Sequence, residues 1–142
     1  MISIAIFSAI FWSFVGNNQT IDCRGSALCY RGVVTQIIDG DTIQVDDYWI
    51  RLALVNTPEI GEVGYLEAKE FTGTLCPVGS NVLVDEDDGQ TERSFGRIVA
   101  VVFCGGTNLN AELVKSGHAG ILINFCSISE FKDDSWAKSA GC

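Results

Sequence analysis

Between residues 30 and 55, three β-rich runs follow one another with only two short interruptions, and this leaves the chain little choice but to begin as a tight antiparallel meander. Residues 30–38 supply Val33, Val34, Ile37 and Ile38. Thr42–Val45 alternates polar and apolar residues, as a half-buried strand does. Residues 49–55 put Ile50, Leu52 and Leu54 on one face. The interruptions are Asp39-Gly40-Asp41, where a residue without a Cβ lets the backbone turn sharply, and the hairpin turn Asp46-Asp47.

The rest of the chain adds two strands and two helices. Tyr65–Leu75 reads as a helix with Ala68, Phe71 and Leu75 on one face, and Pro77 stops it. Residues 81–84 form a fourth strand and residues 85–93 a charged, solvated loop. Residues 98–103 form a fifth strand that is apolar throughout and therefore central. Asn108 caps a short helix at 109–116, with Leu109 and Leu113 one turn apart and Gly117 beyond its end. Residues 127–142 carry only a weak helical pattern. Five short strands, with helices after the third and the fifth, suit a small closed barrel of the OB type, a mainly β fold with two to three helices in the α+β class. A chain of 142 residues suits one such domain.

Residues 1–16 are mostly apolar and contain no charged side chain, which reads as a signal peptide or an N-terminal anchor. Residues 17–29 then link it to a domain spanning 30–142. Six cysteines, at 23, 29, 76, 104, 126 and 142, lie beyond the apolar segment and include no Cys-x-x-Cys pair. Structural disulfides in an oxidising compartment account for them better than zinc, although sequence alone does not choose the pairing beyond noting that Cys23 and Cys29 are close. A net charge of -9 excludes a broadly basic nucleic-acid-binding surface.

Chemistry concentrates in the first turn. Asp39 and Asp41 offer hard oxygen ligands of the kind Ca²⁺ prefers. Neither this turn nor the acidic run from Asp85 to Gly89 meets the EF-hand pattern, since Ile43 falls at the fifth position of one and the glycine of the other comes one residue early. Arg51, inside an apolar strand, requires a partner for its charge. His118, the single histidine, follows a helix end and reads as structural or solvated, which leaves a Ser-His-Asp or Cys-His hydrolase without support. Tyr48, Trp49 and Phe95 have faces suited to base stacking, although packing in the core or at its rim is the plainer account.

Three motifs taken together carry a resemblance. Asp39-Gly40-Asp41-Thr42, then Arg51 in a strand ending Val55-Asn56-Thr57-Pro58-Glu59, then Phe95-Gly96-Arg97 after an acidic loop, are similar in order and spacing to the staphylococcal nuclease (thermonuclease) family over roughly residues 30–131. The resemblance implies a five-stranded OB-fold barrel of the staphylococcal nuclease type and calcium-dependent hydrolysis of phosphodiester bonds in DNA or RNA, cut on the 5′-oxygen side. It assigns Ca²⁺ to Asp41 and the Thr57 carbonyl, with Asp39 as a direct or water-mediated partner and Asn56 where the family has a carboxylate. An amide keeps an oxygen but loses a charge, so weaker metal binding is expected. Arg51 and Arg97 match the two phosphate-binding arginines, whose planar forks suit bidentate contacts. Glu59 matches the glutamate that positions or deprotonates the attacking water. The expected substrate is single-stranded DNA or RNA, the expected protein a secreted monomer with no stable protein partner, or one anchored in a membrane through residues 2–15. The alternative is a catalytically inactive OB-fold module that binds nucleic acid or a protein. Asn56 and the acid excess favour that alternative, whereas Asp41, Arg51, Glu59 and Arg97 in register oppose it.

Overall fold

Alternation of apolar residues builds the expected meander. Strands β1 (Cys29–Ile37), β2 (Thr42–Val45) and β3 (Tyr48–Leu52) pair antiparallel, with Val34 opposite Val45 and Ile43 opposite Ile50. In the computed structural model, which describes residues 21–142, β5 (Asn81–Glu86) continues the sheet beside β1, and β6 (Ile98–Cys104) follows antiparallel to β5. β6 also pairs in parallel with β3, placing Ile50, Arg51 and Leu52 opposite Ile98, Val99 and Ala100. That last pairing closes five strands into a mixed barrel of the OB type. Its interior is filled by Val34, Ile43, Val45, Ile50, Leu52, Val84, Ile98 and Val102, all buried. The apolar segment expected as a leader or anchor at residues 1–16 lies outside the described residues.

The third strand is shorter than its apolar pattern suggests. It ends at Leu52, the Ala53 N–H donates to the Ala100 carbonyl at 2.8 Å, and Leu54 turns into the left-handed region with φ 65°. Val55–Asn56 (β4) then leaves the barrel to pair with Gly120–Ile121 (β8). Buried Asn110 secures this break: its amide donates to the carbonyls of Ala53 at 3.0 Å and Ala100 at 3.2 Å, and its oxygen accepts from the Val102 N–H at 3.2 Å.

Helix α1 covers Tyr65–Leu75 as expected, but Ala68 and Thr72 are its buried residues, while Phe71 and Leu75 are only half-buried. Thr72 faces inward because its hydroxyl donates to the Gly40 carbonyl at 2.6 Å, which satisfies a polar group that burial would otherwise penalise. The short strand β7 (Thr107–Asn108) leads into helix α2 (Leu109–Lys115), whose N-cap is Asn108, accepting the Ala111 N–H at 3.0 Å. The tail is more ordered than its pattern implies. After a 3₁₀ turn at Ile123–Phe125 it forms helix α3 (Ser135–Ala140), and Phe131, Trp136 and Ala137 enter the core.

The acidic run is not a solvated loop. Asp85 and Glu86 end β5, and Asp85, Glu86 and Asp87 are buried. Their carboxylates replace water with backbone donors brought from elsewhere in the chain. Asp85 accepts the Arg24 N–H, Glu86 the Leu28 N–H, and Asp87 the N–H groups of Gly89 and Glu130. Exposed Asp88 accepts from Ser26 and Ala27. Residues 21–28 form no strand or helix, yet they are clamped by these bonds, by the Arg24–Asp134 ion pair and by the Cys23–Cys29 disulfide. Two further disulfides, Cys76–Cys104 and Cys126–Cys142, tie α1 to β6 and the 3₁₀ turn to the C-terminus. Among the described residues, no helix is long and apolar enough to cross a membrane.

Candidate active site

The turn between β1 and β2 is built by close packing. The backbone bends sharply through Asp39, Gly40 and Asp41, as expected, without Gly40 entering the left-handed region. Instead, a Cβ on Gly40 would come within 2.7 Å of the Thr57 hydroxyl oxygen and 2.9 Å of the Ala68 Cβ. Only glycine therefore lets the turn rest against both the 55–57 segment and α1.

That contact brings Asp41 onto Thr57. Asp41 is buried, and its Oδ2 accepts the Thr57 N–H at 2.8 Å and the Thr57 hydroxyl at 3.1 Å. The same oxygen lies 3.3 Å from Arg51 Nη2. Asp39 Oδ1 accepts the Asp41 N–H at 3.1 Å. Burial raises the proton affinity of Asp39, and the nearby Asp41 and Glu59 carboxylates raise it further.

Arg51 projects from β3 opposite Thr42. Its Nη1 donates to the carbonyls of Leu52 at 2.9 Å and Val55 at 2.7 Å, and its Nη2 reaches Asn56 Oδ1 at 3.3 Å. One edge of the guanidinium is thus fixed to the backbone where the strand breaks, while Nε has no partner among the described residues. Burial works against its charge and outweighs the carboxylates of Asp41, Asp39 and Glu59, which oppose it, while the neighbouring Arg97 adds to it, so its proton affinity is lowered.

Arg97 follows a two-residue turn in which Phe95 (φ 52°) and Gly96 (φ 78°) both have positive φ, the geometry of a type I′ hairpin. Its Nε donates to the Ser94 carbonyl at 3.0 Å, its Nη2 to Ser94 Oγ at 3.2 Å and its Nη1 to Thr42 Oγ1 at 3.3 Å. The Thr42 hydroxyl in turn donates to Asp41 Oδ1 at 3.3 Å. Buried Thr42 therefore links the carboxylate to the second arginine. Sequence reading assigned no role to Thr42, Ser94 or the Thr57 side chain; the Thr42 position inside the Asp-Gly-Asp-Thr motif was the available signal.

Glu59 is exposed on the loop before α1, and its N–H donates to Glu62 Oε1 at 2.7 Å. Its carboxylate has no hydrogen-bond donor among the described residues, which leaves it open to solvent. The six chemistry-bearing residues Asp39, Asp41, Arg51, Asn56, Thr57 and Arg97 meet at one end of the barrel, and Glu59 is close enough to act electrostatically on Asp39 and Arg51. His118 stands outside this set: its ring packs 4.6 Å from that of Phe71, beside a shallow cleft bordered by Asn56, Thr57 and Glu62.

Beside these residues opens a cleft of about 780 Å³, within the size range of ligand sites. Arg51 and Arg97 lie on its wall with Gln90, Glu92 and Arg93, and Leu54, Leu122, Phe125 and Ile128 give it an apolar side. Cations beside an apolar wall can bind a group that is anionic at one end and flat and apolar at the other. For a divalent cation, Asp39, Asp41 and Asn56 form an all-oxygen donor set, the kind suited to Ca²⁺. Among the described residues, no group of three or more His, Cys, Asp and Glu side chains converges as a metal cage, so such an ion would depend on amide, carbonyl and water oxygens as well.

A family model described as staphylococcal nuclease homologue matches residues 49–137, well over half of the chain. An uncharacterized protein of Methanocaldococcus jannaschii is 28% identical over 155 aligned positions, covering 87% of this chain and 71% of that protein. An uncharacterized protein of Bacillus anthracis is 33% identical over 110 positions, covering 67% of this chain and 49% of that protein, so the chain spans about half of this second relative.

Proposed function

The chain belongs to the family of staphylococcal nuclease homologues, and from that premise we propose that it is a calcium-dependent nuclease that hydrolyses phosphodiester bonds of single-stranded DNA or RNA. The observation that carries this reading is the linkage of Arg51 and Arg97 through Asp41 and Thr42, which holds two guanidiniums on one cleft wall with a solvent-open glutamate nearby. The three disulfides suit an oxidising compartment, and secretion is part of the proposal.

In this mechanism the phosphodiester lies against Arg51 and Arg97, whose fixed donors meet the negative charge that grows on phosphorus oxygens as a fifth bond forms. The apolar wall of Leu54, Leu122 and Phe125 receives the adjoining base. Glu59 orients a water molecule and accepts its proton as the water oxygen bonds to phosphorus. The bond to the departing 5′ oxygen breaks, that oxygen takes a proton from solvent, and the phosphate stays on the 3′ oxygen. Asp41, Asn56 and the Thr57 carbonyl, with Asp39 behind them, would hold a calcium ion, whose positive charge would polarise the phosphate.

The test is cleavage of single-stranded DNA by the oxidised protein against a Ca²⁺ series, with Glu59→Ala and Arg97→Ala alongside. Activity should rise with Ca²⁺ and fall on the order of 10²-fold or more in each variant. Asn56→Asp should lower the half-saturating Ca²⁺ roughly ten-fold by returning one charge to the site, and calorimetric Ca²⁺ titration reads the same change without turnover. Absence of cleavage sensitive to these variants at every Ca²⁺ level would leave a nucleic-acid-binding barrel without catalysis.

A further inference from the structure

Phe95 does nothing for the barrel. It is 98% exposed and sits at φ 52°, a conformation that aromatic residues adopt at an energetic cost and that its turn would meet more easily with Asn or Gly. An exposed ring in a strained position points to a role outside folding. Trp49 is also exposed, at 45%, and joins Phe95, Gly96 and Arg97 around a second cleft of about 440 Å³. Phe95 and Arg97 border both this cleft and the larger one containing Arg51. The Arg97 guanidinium lies 5.9 Å from the centre of the Phe95 ring, and Arg93 is held 5.7 Å from that of Tyr48 on the same rim.

We propose that Trp49 and Phe95 form a stacking platform for an unpaired base of the strand whose neighbouring phosphate is gripped by Arg51 and Arg97. The location of that strand rests on the nuclease reading above. Two features favour a nucleic acid strand over a protein partner. The aromatic surface runs directly into the paired guanidiniums, and the arginines lie in a chain of net charge -9, where they form a local anion-attracting strip. Stacking on an aromatic face is available to every base but only when the base is free of its duplex neighbours. The platform therefore confers preference for unpaired strands, and its contribution comes from the base rather than from the phosphate.

The experiment measures fluorescence anisotropy of a labelled oligothymidine and of an equally long abasic deoxyribose-phosphate strand, in Ca²⁺ and with Glu59→Ala protein so that strands stay intact. Thymidine-bearing strand should bind about ten-fold tighter or more. Adding Phe95→Ala or Trp49→Ala should each reduce that ratio by about five-fold or more, and adding Phe95→Trp, which keeps a ring, should preserve it. Equal binding of the two strands, or a ratio unmoved by both alanine variants, overturns the platform. If wild-type protein cleaves DNA while the ratio is flat, the platform fails and the nuclease reading stands. If wild-type protein does not cleave but the ratio behaves as expected, the platform stands on a non-catalytic module.

Discussion

Asp85 is the residue whose environment departs furthest from what its neighbours in the chain suggest. It is buried, and its Oδ1 has no hydrogen-bond partner among the described residues. Burial raises its pKa first; the Arg24 N–H and charge oppose the rise, and the Asp88 and Asp87 carboxylates add to it. The folded chain thus holds this proton at a pH where the unfolded chain has released it. The associated stability is fullest below the ordinary 3.8 and is lost as pH rises through the higher folded value. Asp85→Asn should remove that loss, so its advantage in melting temperature over the wild type should widen as pH is raised above 3.8; a difference constant with pH would refute the assignment. Asp85 could not be read from sequence because its donor, Arg24, is 61 residues away. The convergence of Asp41, Arg51 and Arg97 was legible because each sits in a short motif with fixed neighbours, whereas Thr42 and Ser94, which hydrogen-bond them, look like ordinary strand and turn residues.

The regular elements followed their patterns where burial is periodic and local. Strands β1 and β2 and the span of α1 are of this kind, and the two-residue turn at Asp46-Asp47 agrees with them, whereas α1 buries Thr72 more fully than Phe71 or Leu75. The break after Leu52 was invisible because an apolar residue gives no sign that it will take a left-handed backbone, and Asn110, which fixes the break, is far along the chain. Helix α3 was also illegible. At six residues it is too short to persist alone, and its order comes from burying Trp136 and Ala137 and from the Cys126–Cys142 bridge. In the chain-entropy account, removing a bridge across a separation of 16 residues costs about 3 kcal/mol. Denaturant unfolding of the Cys126→Ala, Cys142→Ala double variant should show a loss of that order. A loss under about 1 kcal/mol would mean that side-chain packing alone secures the tail.

At the scale of the whole molecule, charge and topology pull on function in different directions. A net charge of -9 repels a polyanion at long range, and salt screens that repulsion before it weakens contacts at the arginines. The association rate with a short single strand, measured by stopped flow, should therefore rise as salt increases from about 10 to about 100 mM. A steady fall would show that the arginine strip governs the encounter instead. The barrel is closed by the parallel pairing of β3 with β6, which sets Arg51 opposite Val99 and puts Arg97 just ahead of the same strand. Because these two segments meet only at closure, a chain still being made or still extended holds neither guanidinium in place. Under the proposed nuclease function, the grip on a phosphate therefore forms only when folding is complete.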